Sequence, residues 1–233
     1  MTTIVIIAAL LFLACLTFWL NKENLRVLRR WHLHHVSNLP YRQGIEIILL
    51  SFQLCLIFGY FLFLWSKGES TSYFVSFLGQ GNFDWRFFFF LILYILALIE
   101  VTMFVLIGLI EVVFKIDSRA TFQKMTWLAF TKQQPLASIL LLLLTTLTDA
   151  AFYFGIVHLS LREERWGFLL TVLSFAVVKA CSFKGNPEKI VAFLLFLNIG
   201  IWCMVATLLY GWFVGMLLLG LTYMIISFKE QHR

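Results

Sequence analysis

Proline is nearly missing from this chain: there are three, Pro40, Pro135 and Pro187, all placed by the hydrophobic pattern in loops or at helix ends. Broken helices that cradle ions or substrates at mid-membrane carry Pro and Gly inside apolar runs, so none is signalled. Cysteine is almost as sparse. Cys15, Cys55, Cys181 and Cys203 each fall within an apolar run, with no CxxC pair and no partner in an outer loop. Such thiols behave as small hydrophobes, and neither a disulfide framework nor a thiolate metal site follows. Histidine occurs only at 32, 34, 35, 158 and 232. His32, His34 and His35 lack the Cys or second His pair that would complete a metal site, so no metal or other cofactor is expected. Charge is scarce too: 13% of residues, clustered between apolar runs.

What the chain has instead is hydrocarbon. It is 61% hydrophobic, with a mean hydropathy of +0.91, more than a soluble domain of this length can hide. Apolar runs at 3–20, 44–66, 87–114, 136–158, 167–183, 189–208 and 212–228 predict seven helices. About 20 apolar residues cross a bilayer core. Unbroken Leu/Ile/Phe runs exclude the alternation of an outer-membrane barrel. No stretch remains for a soluble domain, so residues 1–233 read as one all-helical, polytopic membrane domain. The last pair of helices must be joined by a very tight turn at Gly211 and Trp212. Residues 1–20 lack a basic n-region, and Asn21-Lys22-Glu23 is a poor cleavage site, so a retained first helix is expected over a signal peptide.

Basic residues predict the orientation. Segments 21–43 and 115–135, with Lys184, Lys189, Lys229 and Arg233, hold thirteen Lys and Arg on one side; Lys67, Arg86, Arg162 and Arg165 are on the other. The positive-inside rule then puts the N-terminus outside and the C-terminus in the cytoplasm. The net charge of +6 is thereby a topology signal, and no nucleic-acid partner is implied. In segment 21–43, Leu25, Leu28 and Trp31 recur at helical spacing between arginines, which predicts an amphipathic helix against anionic membrane lipids. Segment 67–86 is too long for a turn and too short to span, and it predicts a re-entrant or interfacial loop.

Five ionisable residues fall at membrane depth. Residues 87–114 contain no Lys or Arg, yet hold Glu100 and Glu111. Eleven positions apart, at about 100° per residue, they return to nearly the same helix face. A carboxylate there costs about 2.5–3.5 kcal/mol on insertion scales, so both are expected to face protein or water as a polar seam. Glu46 is expected to reach the cytoplasmic interface. Asp149 sits mid-span, with Thr145, Thr146 and Thr148 beside it and Tyr153 a turn later. Its readings are a functional site or a helix–helix hydrogen-bond node. Lys179 is expected either to snorkel to the inner interface or to pair with Asp149.

Residues 143–228 resemble the core of the CPBP family, the CAAX-protease and bacteriocin-processing (Abi) intramembrane proteases. That core carries EExxxR within a helix, a short basic connector, a helix ending in FxxxH, and a hairpin bearing a last His. Here residues 148–154, TDAAFYF, take the place of EELLFRG, residues 161–167 (LREERWG) form the connector, and residues 175–179, FAVVK, take the place of FxxxH. Phe152 and Phe175 are kept. Thr148 replaces the Glu that activates water, Asp149 the second Glu, Tyr153 the Arg and Lys179 the first His, and the hairpin has no histidine. General-base hydrolysis needs a base near neutral pKa held on a water. The resemblance therefore implies a pseudoprotease that keeps the fold without the chemistry. A competing register pairs Glu111-Val-Val-Phe-Lys115 with Phe154-Gly-Ile-Val-His158, but its ends lie about 30 Å apart across the bilayer.

The expected function is binding and stabilising a membrane or envelope partner, or immunity against a peptide, in the bacterial cytoplasmic membrane. Two other classes compete. One is a small transporter subunit of S-component or permease type, and the other an active glutamyl-type protease with a non-standard site. Gly211 and Gly215 form a GxxxG that permits close helix packing.

Overall fold

The computed structural model describes residues 2–21, 26–35, 41–68, 85–125 and 135–231. Those residues are helical nearly throughout, with no strand among them. The first five helices are α1 (Thr2–Leu20), α2 (Arg26–His35), α3 (Tyr41–Ser66), α4 (Trp85–Phe114) and α5 (Ser118–Lys124). The sixth, α6, runs as α-helix over Pro135–Asp149, as π-helix over Ala150–Val157 and as α-helix again over His158–Leu161. It is followed by α7 (Gly167–Cys181), α8 (Asn186–Tyr210) and α9 (Trp212–Gln231).

Each expected apolar run is a helix, because Leu, Ile and Phe in lipid leave the backbone no hydrogen-bond partner but itself. Five of them, α1, α3, α4, α6 and α8, are long and apolar enough to cross a membrane. The other two apolar helices, α7 and α9, are shorter. With 15 residues, α7 extends only about 22 Å, less than a bilayer core. Large apolar side chains cover the outside: Trp65, Phe90, Phe104 and Val112 are each at least 75% exposed. Water would not tolerate that surface and lipid does, so the chain has the make-up of a multi-pass membrane protein.

The centre is the group α6–α9. Here α8 packs against both α7 and α9, and α9 returns against α6. Tyr153, Phe175, Phe196 and Tyr223 are fully buried and meet edge to face at ring distances of 5.3, 6.0 and 6.3 Å, tying four helices together. Around this centre, α1 leans on α7 and the end of α6, α3 on α6, and α4 on α8. The least covered span is α4, with 17% of its apolar window buried.

Local chemistry sets the helix ends. Asp117 caps α5 by accepting from the Ala120 N–H at 2.9 Å. Pro187 lies in the first turn of α8, where its missing N–H costs nothing. The tight turn between α8 and α9 is real: Gly211 sits at φ +93°, a conformation that favours glycine. Gly211 is thus a turn residue, and the close packing falls to Gly215 alone. A Cβ there would lie 2.0 Å from Thr207 Oγ1 on α8.

Segment 21–43 contains the expected helix, as α2, with Arg29 and Arg30 exposed. His32 is buried against Tyr41 while His34 is exposed, so the two imidazoles do not converge. The predicted loop at 67–86 falls mostly outside the described residues.

Candidate functional site

Asp149 lies about 21 Å along α6 from Pro135 and about 18 Å from Leu161, in the middle of the span. It is 0% exposed. Lys179, near the end of α7, places its Nζ 2.5 Å from Asp149 Oδ2. Tyr223 of α9 donates its hydroxyl to the same oxygen at 2.8 Å. Gln53 of α3 donates its amide to Oδ1 at 3.3 Å. The Lys179 ammonium also stands 5.7 Å from the centre of the Tyr223 ring. Four helices therefore meet at one carboxylate, and both its oxygens are engaged.

A buried ion pair pays a large desolvation penalty, which its attraction offsets only when the remaining hydrogen-bonding positions are filled. Here Tyr223 and Gln53 each supply one of those bonds to the carboxylate. The arrangement ties α3, α6, α7 and α9 together at one buried carboxylate. Next to it, Thr17, Glu46, Gln53, Thr145, Lys179 and Ser182 line a cavity of about 10 Å³, room for one water. Glu46 belongs to this lining. It is only 6% exposed, so it turns inward and does not reach the interface as its sequence position suggested.

The backbone changes form at the site. The π-helix begins one residue after Asp149. Thr145 and Thr146 return their hydroxyls to the carbonyls of Leu141 and Leu142, a pattern that bends helices. The indole N–H of Trp212 then donates to the Ala150 carbonyl at 2.9 Å. That bond supplies a partner from outside the helix where the α-ladder gives way, and such π segments gather at functional sites. Thr148 Oγ1 and the Tyr153 hydroxyl are buried nearby without a hydrogen-bond partner.

Of the sequence candidates, Asp149 and Lys179 are joined directly, and Thr148 and Tyr153 flank the pair on α6. Glu100 and Glu111 belong elsewhere. Both are exposed on α4, and Glu111 accepts from the Ser118 hydroxyl. They form no inward seam with Asp149.

The residues missed by sequence are Gln53, Tyr223 and a second node at Asn198. The Asn198 amide donates to the Ile99 carbonyl at 3.0 Å, and Thr102 donates to Asn198 Oδ1 at 2.7 Å. Trp202 donates its indole N–H to Thr102 at 3.3 Å. A Gln or Asn in the middle of an apolar run was the available signal, since an unpaired amide in hydrocarbon is costly.

That second node sets the depth of α4. Asn198 is the midpoint of Asn186–Tyr210, and residues 99–102 surround the midpoint of Phe88–Phe114. Two spans joined at their midpoints share a midplane, and Glu100 lies in it. Glu100 has no hydrogen bond or ion pair among the described residues.

No curated protein and no solved structure matches the chain. Residues 88–230, which hold α4 to α9 and so both nodes apart from Gln53, match a family of unknown function, DUF5968. That match covers more than half of the sequence, and the chain belongs to the DUF5968 family.

Proposed function

We propose that this protein is a non-catalytic, multi-pass membrane protein that holds a membrane or envelope partner against the outer face of α4. The observation that carries this reading is Glu100. It is a carboxyl exposed midway along the least covered span. A carboxylate left to lipid there is costly, so its place on the outer face calls for a partner helix. Ala97, Phe104 and Gly108 share that face; Phe104 is 80% exposed, and open space surrounds Gly108 where a Cβ would stand. Small residues beside a polar one let a second helix approach closely and satisfy the acid.

The partner we propose is a membrane-spanning helix of another protein with a Lys, Arg or hydrogen-bond donor at mid-bilayer. In a second copy of this chain the described cation near that depth, Lys179, is already paired with Asp149, which favours a different protein.

Likeness to the CPBP fold is part of this reading. Asp149, at the position of the second Glu, meets Lys179, at the position of the FxxxH histidine. Tyr223 joins them from the hairpin that carries the last His in that family. What holds water in an active site is here a closed ion pair, which supports a pseudoprotease. We place the chain in a bacterial cytoplasmic membrane as seven spans, N-terminus outside, on the basic-residue asymmetry. The alternating direction of the packed helices is in keeping with that: the end of α1 at Thr17, the start of α3 at Glu46 and the end of α7 at Ser182 line one cavity, while Tyr60 and Ser160, toward the ends of α3 and α6, meet elsewhere.

Partner retention tests the reading. Co-purification in mild detergent is expected to fall sharply for Glu100→Leu and to survive in part for Glu100→Gln, which keeps a hydrogen-bonding amide. Equal co-purification from wild type and Glu100→Leu contradicts the α4 assignment.

A further inference from the structure

A groove opens where α1, α7 and α8 come together. Phe18, Asn21, Cys181, Phe183, Lys184 and Lys189 line about 420 Å³ of space, far more than the Asp149 cavity and on the scale of a small-ligand site. Its depth follows from α8: Asn186 lies twelve residues, or about 18 Å, from the midplane residue Asn198, past the half-thickness of about 15 Å of the hydrocarbon core. The groove therefore opens at headgroup level. Its chemistry is divided in the same sense. Lys184 is exposed, and the Lys189 ammonium is held 4.8 Å above the Phe18 ring, which fixes that cation at the groove. Glu188, the carboxylate on the same turn, is directed back to the Gly185 N–H at 3.4 Å. On the bilayer side, Leu11 and Phe12 continue from Phe18 as an exposed apolar surface on α1.

We propose that this groove binds the phosphodiester of an anionic glycerophospholipid, with Lys184 and Lys189 on the phosphate and the acyl chains laid along α1. Basic pockets between membrane helices at headgroup depth recognise such lipids. The proposal is independent of the α4 reading, and either can fail without the other.

Cys181 lines the groove and reports on its occupancy. In a Cys15→Ser/Cys55→Ser background, which removes the two exposed thiols, the full chain is reconstituted in phosphatidylcholine vesicles with or without phosphatidylglycerol. Maleimide labelling of Cys181 is expected to slow when phosphatidylglycerol is present. Each lysine near an anionic headgroup contributes about fivefold in affinity, so Lys184→Gln/Lys189→Gln weakens phosphatidylglycerol retention about 25-fold, read by native mass spectrometry. Lys115→Gln, an exposed lysine outside the groove, leaves retention unchanged. Equal labelling in both vesicles, or retention indifferent to the groove lysines, overturns the site. Protection by inorganic phosphate in plain phosphatidylcholine as strong as that by phosphatidylglycerol overturns the lipid assignment.

Discussion

Removing Asp149 leaves the Lys179 ammonium in the bundle without its counter-ion. Breaking a buried pair from one side costs about 3–5 kcal/mol in soluble proteins. Asp149→Leu is expected at the upper part of that range, since it removes the carboxylate 2.5 Å from the Lys179 ammonium. Lys179→Met is expected at the lower part, because Asp149 still accepts from Tyr223 and Gln53. In Asp149→Leu/Lys179→Met neither member of the pair is left without the other. The remaining cost is two donors without an acceptor, about 1–3 kcal/mol each. The double variant is then more stable than the sum of the single changes predicts, with a coupling of at least about 2 kcal/mol. The assay is reversible unfolding in mixed micelles by titration with dodecyl sulfate, followed by tryptophan fluorescence. Additivity within about 0.5 kcal/mol would show that the two residues do not act as a pair, and the reasoning would fail.

Other expectations follow from the same geometry. Gly215→Ala drives a Cβ to 2.0 Å from Thr207 Oγ1 and is expected to destabilise by about 1–3 kcal/mol, measured in the same unfolding assay. Asn198→Leu loses the bridge to Ile99 and Thr102 and is expected to cost about 0.6–1.7 kcal/mol while loosening α4, seen as faster amide exchange there. Glu163→Ala and Glu164→Ala change an exposed turn and are expected to stay within about 0.5 kcal/mol of wild type. The purified protein is expected not to cleave a CAAX-type or leader-peptide substrate; cleavage that vanishes in Asp149→Ala would restore the enzyme reading. Cysteines introduced at Ser37 and Ser72 are expected to label from opposite sides of the membrane.

The apolar runs made the helices legible, because in hydrocarbon a long Leu/Ile/Phe run has one way to satisfy its backbone. Asp149 and Lys179 were legible for the same reason: each is costly alone in the bilayer, and a partner was required. Gln53 and Tyr223 were not, because their roles depend on which helix faces turn inward, and that is set by contacts 96 and 74 residues distant from Asp149. The π segment of α6 also lay beyond the sequence. Its outside hydrogen bond comes from Trp212, 62 positions away from Ala150. Glu100 was legible as an intramembrane acid, but its expected inward direction was wrong. The inner face of α4 is taken by Ile92, Ile95 and Ile99, which leaves the neighbouring position facing out.

The most direct test of the central claim is a photo-crosslinking amino acid at Phe104, one turn from Glu100, in the native membrane. The account predicts an adduct with one membrane protein whose spanning helix carries a mid-bilayer Lys, Arg or hydrogen-bond donor. That adduct is lost in Glu100→Leu and absent when the probe stands at Phe58 of α3, another exposed apolar site. Lipid adducts alone at Phe104, or the same protein captured from Phe58 and in Glu100→Leu, would contradict it.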